Sequence, residues 1–485
     1  MLQFLDSQAN RTYTENGALT NRTSGSFCLD LFFKAGAMRG ASDLDIANAV
    51  TRAFAEDPVK TLKIVFFARD VRGGLGERRF FAVAVKTLAE IAPDAVNRNA
   101  RYFAEYGRFD DLLALLETQC EDAAFAVIES RLRDDLAAFD RGEPISLLAK
   151  WLPSVNTSSE HARKTARIIA KRLKLSEKEY RRTLSKLRRY TDIIENRLRV
   201  RDYSFDYSKQ TSGAMFKYRK AFARNDALRY GLYIASVQRG EASMHADTLY
   251  PYQIVRSCFS GNIPDAERLS LDAAWNSLPS FGETGNAIAV VDGSGSMHCN
   301  GAVRPIDAAL SLGIYFAERN KGAFANRFIT FSETPRLVEI KGRDIVAKTS
   351  YCSSFNEVAN TNLEAVFELI LSAAARNNVP QEELPERIFI ISDMEFDDCI
   401  EGGNSLTLFE TMKRKYARYG YKLPDIVFWN VNGRSDNFPV KKSETGAALV
   451  SGASPAIFDM VASGEISPEI IMNSVIESER YKQIS

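Results

Sequence analysis

The N-terminal half of the chain carries the hydrophobic periodicity of α-helices. Apolar residues recur every three or four positions within each of several segments, and Gly- or Pro-marked turns separate these segments. Helices are predicted at residues 43–55, 58–68, 77–91 and 109–117, from residue 93, at 158–173 and 176–189, from about residue 216, and at 265–278. Consecutive helices joined by short turns are typical of an α-helical repeat array, although no repeat of fixed period is found.

The period of the pattern changes after Asn286, where short continuous apolar runs begin to alternate with helical segments. Strands are predicted at 287–291, 328–331, 388–391, 426–429 and 447–450, and the intervening helices at 302–319, 361–376 and 406–419. Continuous apolar strands need cover on both faces, so the alternation predicts a doubly wound, mostly parallel sheet. Residues 336–340 follow the second strand after a tight turn and are expected to form an antiparallel edge strand.

These patterns divide the chain into four parts. Residues 1–25 are polar and are expected to form an extended or loosely attached arm. Residues 26–280 are expected to form an all-α, HEAT-like helical-repeat region. Residues 284–462 are expected to form a doubly wound, Rossmann-like α/β domain, and residues 463–485 a C-terminal helix.

A glycine-rich loop interrupts the helical pattern at Gly73, Gly74 and Gly76. It lacks the preceding strand and the GKS or GKT signature of a phosphate-binding loop, so its glycines are expected to end one helix and let the next one pack. Charged residues around the loop are expected to form a structural ion-pair network. They are Arg69, Asp70, Arg72, Glu77 and Arg78.

Polar residues follow the predicted strands at the edge where ligands bind in doubly wound sheets. The first strand ends in Asp292-Gly-Ser-Gly-Ser, the central helix begins near Thr361, and a later strand ends in Ser392-Asp393. An oxygen-only set of carboxylates and hydroxyls suits a hard divalent cation, most simply Mg²⁺. The candidate metal ligands are Asp292, Ser294, Ser296, Thr361 and Asp393.

This arrangement resembles the metal-ion-dependent adhesion site (MIDAS) of von Willebrand factor A domains. The order Asp-x-Ser-x-Ser, distant Thr, strand-terminal Asp is the same, although Ala359-Asn360 stand where that family usually has glycines before the threonine. The resemblance implies that the serines and the threonine contact the metal directly and that the aspartates often act through water. It also implies that a partner's acidic oxygen completes the coordination.

Basic residues are concentrated in one part of a chain that is nearly neutral overall. Residues 161–229 contain 21 Lys or Arg against seven Asp or Glu, whereas all 485 residues together have a net charge of +1. This seventh of the chain therefore holds a third of its 63 basic residues. Such a concentration indicates an anionic partner, although a basic helical face is more often solvated or paired with acidic neighbours.

The two predicted helices at 158–173 and 176–189 carry the basic residues that we expect to contact RNA phosphates. Tyrosines are interspersed through the same region and could stack on unpaired bases, or could belong to the core. The candidate RNA-binding residues are Arg163, Lys164, Arg167, Lys171, Arg172, Lys174, Arg181, Arg182, Lys186, Arg188 and Arg189.

The helical half resembles the TROVE region of the Ro autoantigen and of some telomerase- and vault-associated proteins. The resemblance is carried by residues 57–81, by Gly-Arg-Phe-Asp-Asp-Leu-Leu at 107–113 and by Lys-Trp-Leu-Pro-Ser at 150–154. Closer still is an uncharacterised family that places a TROVE-like region before a von Willebrand factor A-like domain. In Ro-like proteins the helices close into a ring, structured RNAs bind the outer surface and single-stranded ends enter the hole. The resemblance therefore implies small structured or single-stranded RNA as a partner.

Two functions remain open on the sequence. The first is a non-catalytic RNA-binding scaffold of Ro-type ribonucleoprotein character, and the second is a metal-dependent protein-binding module without RNA. A phosphoesterase using the same metal is disfavoured, because no general base or second metal shell is evident beyond Asp397 and Asp398. No enzymatic activity is expected, and a monomer is expected.

The sequence also predicts where the protein is found. The N-terminus has neither a basic start nor an apolar run, no apolar stretch approaches a membrane span, and the six cysteines are scattered. We therefore expect a cytoplasmic protein with free thiols and no membrane partner.

Overall fold

The computed structural model describes most of the chain, with short gaps. The described residues are 9–282, 285–299, 301, 303–332, 334–356, 362–397, 407–434, 436–462, 464 and 466–485. Within them, an all-α region is followed by a domain built on a mixed six-stranded sheet, which confirms the predicted multidomain organisation at this level. None of the helices in these ranges has the length and apolar character needed to cross a membrane.

The N-terminal region is built from fifteen described α-helices and short 3₁₀ turns. The helices are α1 Phe27–Ala35, α2 Asp43–Glu56, α3 Pro58–Arg69, α4 Arg78–Ile91, α5 Pro93–Asn99, α6 Phe103–Tyr106, α7 Glu121–Asp140, α8 Leu148–Trp151, α9 Glu160–Arg172, α10 Glu177–Tyr190, α11 Ile194–Arg199, α12 Ser212–Asn225, α13 Ala227–Gln238, α14 Pro251–Cys258 and α15 Asp265–Asn276. The predicted helix at 109–117 is instead a 3₁₀ segment, Phe109–Leu115. The 20-residue helix α7, the longest among the described residues, was not predicted.

The C-terminal domain alternates strands and helices as the sequence predicts. Its strands are β3 Ala287–Asp292, β4 Arg327–Phe331, β5 Leu337–Glu339, β6 Arg387–Ser392, β7 Asp425–Asn430 and β8 Ala447–Ser451. Its helices are α16 Pro305–Arg319, α17 Ile345–Ser353, α18 Leu363–Asn377, α19 Leu408–Arg418, α20 Ile457–Met460 and α21 Pro468–Ile476.

The sheet has the order β5-β4-β3-β6-β7-β8, and all neighbours are parallel except the β4–β5 pair. The predicted antiparallel edge strand is therefore confirmed. Every residue of β3, β6 and β8 is buried, which explains why these strands read as unbroken apolar runs. From β3 the chain first adds β4 and β5 on one side and then adds β6, β7 and β8 on the other. The carboxyl ends of β3, β4 and β6 therefore meet at a topological switch point.

The polar arm differs from the expectation of a loosely attached segment. Residues of β1 (Arg11–Tyr13) and β2 (Leu19–Asn21) form an antiparallel hairpin. The Thr14 hydroxyl donates to the Phe396 carbonyl (2.6 Å), and the Asn21 amide group donates to the Phe438 carbonyl (2.9 Å). The arm is therefore fixed to the carboxyl edge of the C-terminal sheet, through partners 382 and 417 residues away in sequence.

The glycine-rich loop lies where several parts of the chain meet. A Cβ atom at position 74 would lie 2.0 Å from the Phe67 carbonyl oxygen, and one at position 76 would lie 2.0 Å from the Tyr250 hydroxyl. Gly76 also has a φ of +69°, which favours glycine. Because Tyr250 immediately precedes α14, Gly76 allows the start of α14 to approach the loop between α3 and α4.

The charged residues around this loop form ion pairs, as predicted. Their partners lie elsewhere in the chain, so the network joins separate segments. The pairs are Arg69 with Asp111 (2.8 Å), Arg78 with Asp110 (2.6 Å), Glu77 with Arg39, and Asp70 with Arg480, while Arg72 donates to the Glu105 carbonyl (3.2 Å).

The C-terminal segment returns to the first helices of the chain. Asp70 is fully buried and accepts hydrogen bonds from the Arg480 guanidinium and, at 2.9 Å, from the Tyr481 hydroxyl. The Tyr481 ring stacks on Tyr106 with their centroids 5.6 Å apart. The last helical segment of the chain is therefore joined to the all-α region by a buried ion pair.

The α/β domain contacts both ends of the all-α region. At one end, α1 packs against β8 and α21. At the other, α14 and α15 pack against α16 and α17, where Arg268 forms an ion pair with Asp344 (2.8 Å) and the Trp275 indole donates to Glu318 (2.6 Å). The packed elements consequently form a closed circuit.

Arg480→Gln tests the junction at Asp70. We expect a loss of roughly 2 kcal/mol in the free energy of unfolding, because a fully buried carboxylate would lose its cation; the estimate is reduced because Arg480 is partly exposed. The urea midpoint measures the effect. Lys482→Gln, which breaks the exposed pair with Glu479, is the control and should change little. Equal effects of the two substitutions would contradict the structural role of Arg480.

Candidate metal centre and nucleic-acid interface

The loop after β3 forms the first part of the candidate metal centre. Asp292 is the last residue of the strand and is fully buried. Its Oδ1 atom accepts a hydrogen bond from the Ser294 backbone N–H (2.9 Å), and its Oδ2 atom accepts one from the Ser392 hydroxyl (2.6 Å). Both carboxylate oxygens are therefore held in fixed directions at the switch point of the sheet.

The two predicted serine ligands lie side by side. The hydroxyl oxygens of Ser294 and Ser296 are 3.1 Å apart, and a 3₁₀ turn, Gly295–His298, carries the second of them. Gly293 allows the loop to approach Asn356, because a Cβ atom at position 293 would lie only 3.0 Å from the Asn356 Oδ1 atom. Thr361, the remaining hydroxyl predicted for the site, lies outside the described residues.

Asp393 follows β6 and is also buried. Its Oδ1 atom accepts from the Glu395 backbone N–H (3.3 Å), and its Oδ2 atom accepts from the Arg434 guanidinium (2.9 Å). Arg434 also lies 3.5 Å from the Glu15 carboxylate of the arm. Arg434 could not be predicted from the sequence, because it lies 41 residues from Asp393 in a loop with no motif of its own.

The two aspartates influence each other electrostatically. Burial, and then the negative charge of Asp393, raise the pKa of Asp292 to about 7. Hydrogen bonds from Ser392 and Ser294 act in the opposite direction. Two carboxylates that repel each other in a buried site form a place where a cation between them would be stabilised.

The donor chemistry of the described residues fits a hard divalent cation such as Mg²⁺. Asp292, Ser294, Ser296 and Asp393 would hold it, and all four offer oxygen atoms. No group of three or more His, Cys, Asp or Glu suited to a metal occurs in the described part of the chain. Hydroxyl oxygens and water would therefore have to supply much of the coordination here.

The arm lies beside this centre and uses a further buried carboxylate. Glu395 accepts hydrogen bonds from the Glu15 backbone N–H (2.8 Å) and from the Asn437 amide group (3.0 Å). Asp397 pairs with Gly17 of the arm in a β-bridge, and Asp398 lies outside the described residues. Glu395 therefore attaches the arm through its carboxylate, and Asp397 attaches it through its backbone.

The predicted RNA-binding residues lie on α9, α10 and the turn between them. Arg167 pairs with Glu177 (3.1 Å), Arg172 pairs with Asp122, and Lys186 lies 3.4 Å from Asp140. The other exposed or half-exposed cations have no side-chain partner among the described residues. They are Arg163, Lys164, Lys171, Lys174, Arg181, Arg182 and Arg189.

Arg188 differs from the other ten residues of this set. Its Nε atom donates to the Ala149 carbonyl (2.7 Å), and its Nη2 atom donates to the Leu152 carbonyl (2.5 Å). Burial lowers the pKa of its guanidinium. Arg188 therefore holds α10 against the end of α8, and its guanidinium is already occupied.

Comparison with known proteins places the chain in a family without an assigned function. A model described as a domain of unknown function (DUF2828) matches residues 14–134 and 124–280, and the chain belongs to this family. A second domain of unknown function (DUF7788) matches residues 286–483. Neither description mentions a von Willebrand factor A domain, so that resemblance rests on the order of strands and site residues alone.

Two individual proteins are similar over almost the whole chain. The uncharacterized protein L728 of Acanthamoeba polyphaga mimivirus is 28% identical over 515 residues, which cover 97% of this chain and 88% of the viral protein. Among solved structures, the Ro (RSR) protein of Deinococcus radiodurans matches with a TM-score of 0.38 and 13% identity, over 93% of this chain and 95% of that one.

Arg434→Gln tests the electrostatics of the centre. We expect Mg²⁺ to bind about tenfold more tightly to this variant, because the guanidinium that neutralises Asp393 is removed. Asp292→Asn should abolish binding. Isothermal titration calorimetry with MgCl₂ measures both effects.

Glu382→Gln provides the matched control for Asp292→Asn, since it also removes one negative charge but lies in the exposed 3₁₀ turn that precedes β6. Its Mg²⁺ affinity should equal that of the wild type. Weaker binding by Arg434→Gln would instead show that the guanidinium supports the site by orienting Asp393.

Proposed function

We propose that this protein is a non-catalytic RNA-binding scaffold of Ro-type ribonucleoprotein character, with a divalent-metal site in its α/β domain. The observation that carries the proposal is the basic surface of α9 and α10. Seven of its eleven predicted contact residues have no internal partner among the described residues, so their charge faces solvent.

The number of unpaired cations on two neighbouring helices distinguishes this surface. Partly buried arginines between other elements have acidic partners, as Arg39 has Glu77 and Arg268 has Asp344. On α9 and α10 the repulsion between like charges persists in the free protein. Phosphates would relieve it and release counterions, which favours binding of a polyanion. The TROVE-like segments of the sequence point to RNA as that polyanion.

A second candidate function is metal-dependent protein binding without RNA. A groove of about 590 Å³ lies beside the metal centre and is lined from the helical side by Lys34 and Arg52 and from the α/β side by Cys299 and Arg434. An acidic segment of a partner could lie in this groove while its carboxylate completes the coordination of the metal. The groove also contains Asp45 and Asp436, which makes it less favourable to anions than the α9–α10 surface.

RNA binding should depend steeply on salt and on the basic surface. We expect removal of four unpaired cations to reduce the slope of log K against log salt concentration by about 3–4 for a hairpin RNA with an eight-nucleotide tail. Fluorescence anisotropy measures this, with EDTA present because the contacts need no metal. The substitutions are Lys171→Gln, Lys174→Gln, Arg182→Gln and Arg189→Gln.

A control variant removes four exposed cations from the α/β domain and should bind this RNA as the wild type does. Its substitutions are Arg376→Gln, Arg414→Gln, Arg418→Gln and Lys441→Gln. Absence of binding by the wild type at low salt, or equal losses in both variants, would reject the RNA proposal.

The second candidate function, unlike RNA binding, requires the metal. The protein is used to capture partners from an extract of its source organism in the presence of Mg²⁺. Captured proteins should be lost when EDTA is added and when the bait carries Asp292→Ala, because both changes remove the metal that the partner's carboxylate would bind. Quantitative mass spectrometry of the captured proteins measures this. Capture that resists either treatment would exclude a partner bound through the metal.

A further inference from the structure

The exposed side of α10 forms one wall of a groove of about 730 Å³. The groove runs between the end of α7 and the loop after α8. Its lining combines four cations with two aromatic rings and two small polar residues, and no Asp or Glu contributes to it. The lining residues are Phe139, Asn156, Arg181, Arg182, Ser185, Lys186, Arg189 and Tyr190.

The cations of the groove follow one face of α10. Arg182, Ser185 and Arg189 are spaced three and four residues apart, so they form a continuous strip along the helix. Arg182 and Arg189 are exposed and have no ion-pair or hydrogen-bond partner among the described residues. The strip thus offers two free guanidinium groups about two helical turns apart.

An aromatic wall stands beside this strip and is held rigidly. The rings of Tyr190 and Phe139 pack edge to face with their centroids 4.8 Å apart, and the Tyr190 hydroxyl donates to the Glu143 carbonyl (3.1 Å). The Lys186 ammonium lies 3.9 Å from the Phe139 ring centroid. Tyr190 remains 36% exposed, so a rigid ring is presented to solvent at little entropic cost.

The opposite wall is fixed by Arg188 and ends in an amide group. The hydrogen bonds from Arg188 to the Ala149 and Leu152 carbonyls hold α10 against the segment that leads to Asn156. The Asn156 Oδ1 atom accepts from the Ser154 hydroxyl (2.6 Å), while its Nδ2 atom has no hydrogen-bond partner among the described residues. An unused N–H donor therefore lies on the groove.

We infer that this groove binds an unpaired nucleotide of RNA, with the base against the Tyr190 ring and the neighbouring phosphates on Arg182 and Arg189. The inference rests on the proposed RNA-binding function and adds to it the form of RNA that is recognised. The Asn156 amide donates to an acceptor on the edge of the base. A paired base cannot bind this way, because its faces are covered by its neighbours in the helix.

The lining favours nucleic acid over an acidic peptide. A peptide carboxylate would use the guanidinium groups but would leave the Tyr190 ring in water. A nucleotide uses both, because every base has an apolar face and every linkage a phosphate. The ring should therefore contribute to affinity only when the ligand carries bases.

An octamer of uridine (U₈) and an abasic octamer with the same phosphates separate the two contributions. The wild type should bind labelled U₈ about tenfold more tightly than the abasic octamer, as expected for stacking of one base. Tyr190→Ser should remove this preference, and Tyr190→Phe, which keeps the ring, should retain it. Fluorescence anisotropy at low salt measures all three proteins.

Charge removal should act differently from ring removal. Arg182→Gln with Arg189→Gln should weaken binding of U₈ and of the abasic octamer by the same factor. Arg199→Gln with Arg224→Gln is the matched control, because both residues are exposed, basic and outside the groove. This control should bind both octamers as the wild type does.

The outcomes distinguish this inference from the proposed function. If the wild type binds the tailed hairpin RNA but shows no preference for U₈ over the abasic octamer, the nucleotide site is rejected and RNA binding stands. Displacement of U₈ by oligoglutamate as effectively as by U₈ itself would also reject it, in favour of a general anion site. If no RNA binds at all, both proposals fail.

Discussion

The ion pair between Asp70 and Arg480 determines how the two halves of the chain are held together. Asp70 is fully buried, and a buried carboxylate without a cation is strongly destabilising. Its cation and its tyrosine partner come from the last residues of the chain, so Asp70 is satisfied only when the C-terminal segment has returned to α3. The α/β domain, which precedes that segment, is thereby fixed against the first helices.

This junction also explains the glycines of the loop at residues 73–76. The Asp70 pair draws the C-terminal segment toward the loop, while Tyr250 approaches from the other end of the all-α region. Side chains at these glycines would keep the parts separate. The closed circuit of packed elements thus depends on a buried charge and on the absence of side chains beside it.

The parts that could be predicted are those determined by local pattern. Continuous apolar runs specified β3, β6 and β8 because these strands are buried on both faces. The parts that could not be predicted depend on distant contacts. The arm is ordered by Phe396 and Phe438, and Asp393 meets Arg434, yet no local feature of either segment indicates its partner. Arg188 lies on the buried face of α10, four residues after Leu184, but its charge made it resemble the exposed Arg189 in the sequence.

The α9–α10 surface and the aspartate centre differ in how their charges are compensated, and this contrast supports the proposed RNA partner over the proposed metal-bound protein partner. In the α/β domain, Arg434 already offsets part of the negative charge of the buried aspartates, and Glu15 of the arm holds that arginine in turn. On α9 and α10, most of the predicted contact residues have no compensating group among the described residues. Three of the eleven form ion pairs with acidic neighbours, and Arg188 donates to backbone carbonyls instead. A surface that retains uncompensated charge at the cost of like-charge repulsion gains most from an external polyanion. The aspartate centre gains less from an external cation, because Arg434 already supplies a positive charge beside Asp393.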